Sequence, residues 1–482
     1  MKWLVSLLVL LIPDSAFVSA QTKQELPKGP LVLTHAAVID TAGALVQQDM
    51  TVVIVGDHIA DLGKAAEVTV PSSPHVIDAR GKFLIPGLWD MHVHTFTHNP
   101  RSTRTWYFPL FIANGVTGVR DMWTTSDDFP QIVQWRKGLA DGDFFGPRYG
   151  AVGWLVDGPD PIWPNADVVS TPQEARNFVR RVKAAGIDFI KVYWKLPREE
   201  YLAIADESKK LGTSFAGHVP FIISPAEASD AGQKSIEHLT NVDIGCSTKE
   251  QELLAVPAEK WGPPQDKETL ATYDPQKCQQ LLERFARNQT SQVPTSWMFS
   301  EGRVFLRDHF AADVRSKYVP ASVRARWQQQ GASPWTGLPP TNDHSSERQE
   351  LRHRKREQAR AIIALMNRAG VPLMAGTDLA NPFVLPGFNL HDELALFVQA
   401  GLTPGDALKT ATCNPAKYLD MQDRLGTVEK GKLADLVLLD ANPLEDIHNT
   451  QKIRAVVLNG RYLDRAELDK LLADAEATAV KQ

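Results

Sequence analysis

The spacing of apolar and polar positions changes rhythm twice along this chain. From Leu31 to Ile85, short β-rich runs (Leu31-Val32-Leu33, Val38-Ile39-Asp40, Thr51 to Val55, Val76-Ile77-Asp78) alternate with turn residues such as Gly56-Asp57 and Gly81-Lys82. That is the pattern of short antiparallel strands. The far end repeats it in Ala434 to Asp440 and Ala455 to Gly460. Two such pieces flanking a long middle predict one small β-sandwich domain assembled from both termini, residues 21–85 and 421–482, the second closing with a helix.

The middle reads differently. Gly115 to Arg120, Ile187 to Tyr193, Thr213 to His218, Ser235 to His238, Gln292 to Trp297 and Val371 to Asp378 are apolar and strand-like, with helical stretches such as Pro172 to Ala185 between them. Repeated β-then-α units build a parallel sheet, and seven or eight of them predict an α/β fold, a (β/α)8 TIM barrel over residues 86–420. A polar, helical stretch at about 301–360 reads as an insertion before the last strand. Within it, Glu347 to Arg360 (ERQELRHRKREQAR) alternates in sign and predicts a solvated helix.

Candidate chemistry sits where the predicted strands end. Asp90-Met91-His92-Val93-His94 closes the first one. Residues two apart on a strand face the same side, so His92 and His94 both point into the barrel mouth, as a pair able to hold a divalent metal. Later strand ends offer Lys191, His218, His238 and, in Ala375-Gly376-Thr377-Asp378, Asp378. Active sites of such barrels are built at the C-terminal ends of several strands. Any one of these histidines alone reads as a hydrogen-bonded core residue; the set reads as a metal site. Tyr193 shares the facing of Lys191 and reads either as a substrate contact or as barrel wall. Trp123, Trp154, Trp194 and Trp297 follow predicted strands and suit either an aromatic pocket or loop anchoring. His391 lies just past the last strand, in a helix start.

Composition mostly excludes. The 482 residues carry a formal net charge of −5 and 43% hydrophobic positions, an ordinary globular balance with no electrostatic footprint for nucleic acid. The N-terminus is different: Lys2, an apolar stretch from Trp3 to Ile12, then Val18-Ser19-Ala20. Residues 1–20 therefore read as a secretory signal peptide, too short in its apolar part to span a bilayer, and the expected location is periplasmic or secreted. No later segment reads as transmembrane. Cys246, Cys278 and Cys413 form neither a disulfide framework nor a zinc-type pair, leave room for one disulfide, and receive no function. Asn288-Gln289-Thr290 matches the glycosylation pattern, which is common by chance.

Ile85 to His94 (IPGLWDMHVH), Gly115 to Met122 (GVTGVRDM), Ser235 to His238, Gly376-Thr377-Asp378, Gly401 to Pro415 and Gly426 to Asp440 (GTVEKGKLADLVLLD) together resemble the amidohydrolase superfamily, in the branch that includes imidazolonepropionases and prolidase-like dipeptidases. The resemblance covers nearly all of the chain after the leader and is weakest in the insertion. It implies two divalent metals, zinc being the first choice for a His-rich set, with manganese, cobalt or nickel as fits of similar quality. His92, His94, Lys191 and Asp378 would hold the buried metal, and Lys191, His218 and His238 the more exposed one. A lysine ammonium has no lone pair to give, so the resemblance also implies carbon dioxide, added to Lys191 as a bridging carbamate. Asp378 would take a proton from the metal-bound hydroxide and pass it to the leaving nitrogen.

The activity expected on this basis is hydrolysis of a small amide, either a dipeptide such as Xaa-Pro or an N-acyl amino acid. A lactonase or phosphotriesterase on the same centre is the main alternative. A deaminase of this fold would place a glutamate three residues after His218, where Phe221 stands. An imidazolonepropionase works with one metal and no lysine ligand, which counts against that activity here. A catalytically dead binding protein would be free to lose a ligand-type residue, and all six are present. Partners reduce to the small substrate, with a homo-oligomer left open.

Overall fold

The computed structural model describes residues 29–96, 103–257, 260–331, 339 and 345–481. The expected leader, residues 1–20, lies outside them. Seven parallel strands form the barrel wall: β1 (Leu88–Val93), β2 (Val116–Thr124), β3 (Arg148–Asp157), β4 (Phe189–Val192), β5 (Ser214–Gly217), β6 (Ser235–Glu237) and β7 (Ser291–Val293). They hydrogen-bond in chain order from β1 to β7.

Segment 373–379 fills the eighth position, although not as the continuous strand expected over Val371 to Asp378. It makes isolated parallel bridges, Leu373 with Gln292 and Leu379 with Val93. Backbone hydrogen bonds from Met374 N to Gln292 O (2.9 Å), Met91 N to Ala375 O (2.9 Å) and Asp378 N to His92 O (2.8 Å) close the barrel. Two local events interrupt the ladder. Ala375 donates its N–H to Thr410 O, and Asp378 adopts a left-handed backbone at φ 59°.

Helices pack outside the wall for ordinary local reasons. Pro172–Ala185 starts with Thr171 accepting from Glu174 N, has proline in its first turn, and stops at the left-handed Gly186. It buries Ala175, Phe178, Val179 and Val182 on one stripe against the barrel core. The insertion contributes Glu301–His309, Ala321–Gln330 and the long helix Ser346–Arg368. Buried Cys246 and Cys278 form a disulfide that ties the end of Val242–Gly245 to Pro275–Asn288, and Cys413 stays a free thiol.

Strands from both ends of the chain share a second sheet. Its order is Arg461–Leu463, Ile453–Leu458, Leu436–Leu439, Phe83–Pro86, Leu31–Asp40, Leu45–Val55 and His58–Lys64, with His75–Asp78 also paired to Leu31–Asp40. It has its own apolar core, including Leu33, Val52, Leu84, Leu436 and Val457. Arg148 of β3 pairs with Asp435 and so fastens this sheet to the barrel. Among the described residues no helix is long and apolar enough to cross a membrane.

Candidate metal centre

All six ligand-type residues come from strand ends and meet at one mouth of the barrel. His92 and His94 leave β1 on the same side, their rings 5.1 Å apart. His238, directly after β6, stands 4.6 Å from His92 and 4.7 Å from His218, which follows β5. Asp378 Oδ1 lies 2.9 Å from His94 Nε2 and 3.4 Å from His92 Nε2, and its Oδ2 lies 3.9 Å from His238 Nδ1. Lys191, near the end of β4, sits among them, and its charge acts on His92, His218 and His238. Ligand atoms of His92, His238 and Asp378 all lie within 4.8 Å of one another. That trio crosses the two ligand groups that the resemblance implies.

Protonation suits coordination. Burial, with the nearby positive charge of Lys191, drives His92 and His218 well below the usual histidine range. Burial also lowers His238 to about 4, although Asp378 pulls the other way. For Asp378, burial favours the neutral acid, but His238, His94 and Lys191 outweigh it and hold the carboxyl at about 2. Burial brings Lys191 down to about 8 against the pull of Glu237 and Asp378. The mouth thus presents His92, His218 and His238 as neutral imidazoles, Asp378 as an ionised carboxylate and Lys191 as a lysine able to lose its proton.

Three buried atoms there, His92 Nε2, Lys191 Nζ and His218 Nδ1, have no hydrogen-bond partner among the described residues. Buried polar atoms are nearly always paired, so a cluster of three asks for a partner of another kind. Neutral imidazole nitrogens and a carboxylate fit a divalent metal. Lys191 fits only as a neutral amine or after that amine adds carbon dioxide and loses a proton to give an anionic carbamate.

The support around these side chains was not legible in the sequence motifs. Glu237, fully buried, accepts from His92 Nδ1 at 2.7 Å. Since an ionised carboxylate only accepts, this bond fixes the proton on Nδ1 and leaves the Nε2 lone pair facing the mouth. Glu237 is held by both of its oxygens on Arg120 Nη2 (2.9 Å each) and by Ser235 Oγ (2.5 Å). Arg120 also reaches Met91 O and Tyr418. Asp90 accepts from Thr377 N (3.0 Å) and Thr377 Oγ1 (2.6 Å), joining β1 to the segment that carries Asp378. Burial raises Asp90 to about 7 in spite of these bonds. Thr295 Oγ1 meets His238 Nδ1 at 2.7 Å. Arg120 and Glu237 lie inside the motifs Gly115 to Met122 and Ser235 to His238, which is the only signal the sequence offers for either.

His238 (φ 60°), Asp378 (φ 59°) and Thr295 (φ 47°) all adopt the left-handed backbone. Each such residue costs about 1–3 kcal/mol, a strain that gathers at functional sites. The aromatic residues divide in two. Trp154 and Trp297 are buried anchors, bonded to Asp167 and to Phe383 O. Trp123 lies 5.9 Å from His94, and Trp194 4.9 Å from His218. Tyr193 packs 4.2 Å from His218, and its hydroxyl accepts from Trp163 Nε1 at 2.9 Å. His391 is structural, bonded within Phe388–Gln399 to Thr450 Oγ1 and Asn114 O.

Known proteins match this fold. An imidazolonepropionase of Fusobacterium nucleatum subsp. nucleatum is 36% identical over 77 residues, which is 16% of this chain and 18% of that enzyme. The matched stretch therefore spans under a fifth of the curated relative. Among solved structures, a bottromycin amidohydrolase superposes with a TM-score of 0.70 at 23% identity, over 93% of this chain and 90% of that one. A Xaa-Pro dipeptidase with methionine bound in its active site gives 0.62 at 21% identity, over 90% and 100%. At such identities the structural likeness speaks for the fold, and the fold is the expected barrel with its added sheet. The family model matched over residues 83–463 carries the assignment further: the chain belongs to the amidohydrolase family.

Proposed function

We propose that this protein is a metal-dependent hydrolase that cleaves the C–N amide bond of a small substrate, a dipeptide such as Xaa-Pro or an N-acyl amino acid. The observation that carries the reading is the meeting of four imidazoles, Asp378 and a buried Lys191 without a hydrogen-bond partner at one barrel mouth. The names of two structural neighbours, an amidohydrolase and a Xaa-Pro dipeptidase, support the same chemistry. His92, His94, Lys191 and Asp378 would hold one divalent metal, and Lys191, His218 and His238 a second, with zinc as the first choice. Lys191 would bridge them as a carbamate, for which its lowered pKa supplies neutral amine. Metals bound there supply an acidified water and a Lewis acid for the substrate carbonyl.

The protein's own groups do the rest. Asp378, ionised and hydrogen-bonded to His94, takes a proton at its carboxylate and delivers it to the leaving nitrogen, without which an amine departs poorly. Tyr193, kept protonated by burial and already accepting from Trp163, has its own O–H left to donate to the substrate. Glu237 and Arg120 keep His92 in one tautomer. The expected leader, residues 1–20, would place this chemistry outside the cytoplasm, and the Cys246–Cys278 disulfide supports that location because such bonds persist in oxidising compartments.

The test is a competition assay on metal-loaded protein with matched dipeptide, N-acyl amino acid, lactone and phosphotriester substrates. The amides should lead in kcat/KM. Lactones or phosphotriesters ahead by orders of magnitude would replace this reading with the esterase alternative.

A further inference from the structure

A cavity of about 230 Å³ opens beside His238, between the ends of β6 and β7 and the long helix Ser346–Arg368. Its apolar lining residues are Leu239, Pro294, Ile362, Ile363, Leu396 and Phe299, the last 47% exposed. Apolar cavities of about 150 Å³ already hold a benzene molecule, so this one has room for a benzyl-sized group. Three cations of the helix line it, yet each has an acidic partner. Lys355 pairs with Asp243 and Asp266, Arg356 with Glu301 at 2.7 Å, and Arg360 with Glu357 at 2.5 Å. A charged occupant would therefore find no uncompensated charge to meet. Two lining residues do keep a polar atom in reserve. Arg356 Nε and Gln358 Oε1 are buried without a hydrogen-bond partner among the described residues.

We infer that this cavity is a side-chain subsite for the substrate, taking an uncharged aromatic or branched aliphatic group next to the scissile amide. The inference rests on the amide-hydrolase reading and narrows it. His238 belongs both to the candidate metal centre and to the cavity wall, and this shared residue makes the cavity a neighbour of the centre. One methylene in an apolar pocket is worth roughly ten- to two-hundredfold in kcat/KM. A glycyl amide should then trail its leucyl or phenylalanyl counterpart by at least ~10²-fold on one side of the bond. Lysyl and glutamyl counterparts should trail both.

The experiment compares wild type with Ala359→Phe, a substitution on the lining helix that fills the cavity from one wall. Metal-loaded protein is assayed on a dipeptide series varied at one side chain. Binding of N-acetylphenylalanine and of N-acetylglycine is measured separately by calorimetry. The inference expects the phenylalanyl-to-glycyl ratio of kcat/KM to fall at least tenfold in Ala359→Phe, and the binding preference for N-acetylphenylalanine to fall with it. An unchanged ratio in both measurements overturns it. Absence of any amide turnover together with a binding preference that Ala359→Phe removes would overturn the amide reading and leave the subsite standing.

Discussion

Glu237 offers the sharpest test of how the centre is held. It is fully buried, and its two oxygens take bonds from His92, Arg120 and Ser235. Glu237→Ala removes one half of a buried ion pair and leaves the Arg120 guanidinium, itself fully buried, without its carboxylate. Breaking a buried pair in this way costs about 3–5 kcal/mol, a large part of the 5–15 kcal/mol typical of a folded protein. It also frees the His92 tautomer, and loss of such an outer-shell partner weakens metal binding about 10–100-fold. Urea denaturation of the chelated protein reads the first effect, and zinc titration reads the second. The double variant Arg120→Met with Glu237→Leu removes both charges. It should recover much of the lost stability, since an apolar pair of similar volume is often no worse than a buried ion pair, but it should not recover metal affinity. The reasoning fails if Glu237→Ala costs under about 1 kcal/mol, the scale of an exposed pair, with zinc affinity unchanged.

Purified protein should carry close to two divalent metals per chain, and exhaustive chelation should abolish turnover; full activity at zero metal by elemental analysis would sink the mechanism. Lys191→Ala should lose metal and activity together, with partial return of both when a short carboxylic acid is added, whereas wild-type metal content and rate would make Lys191 structural. Asp378→Asn keeps the side-chain shape but not the base, so kcat should fall by at least ~10²-fold, the scale of general acid–base catalysis; a kcat near wild type would mean that another group moves the proton.

How much of this was legible beforehand follows from the range of each interaction. The sequence alone was enough for the barrel, because a period of two in strands and of about 3.6 in helices is written in neighbouring residues. It was enough, too, to bring forward His92, His94, Lys191, His218, His238 and Asp378, since each ends a strand-like run and barrel strands present their ends at one mouth. It did not show that segment 373–379 closes the barrel through isolated bridges, because the donation from Ala375 N to Thr410 O couples residues far apart along the chain. Trp154 and Trp194 look alike as tryptophans near strand ends. Only packing sends the first into the helix layer and the second against His218. Glu237 touches Arg120 across 117 positions and His92 across 145, and the cavity beside His238 is made by two strand ends and a distant helix. Local periodicity tells which way a side chain faces. Which charge or surface it meets is decided by tertiary contacts between segments far apart in sequence.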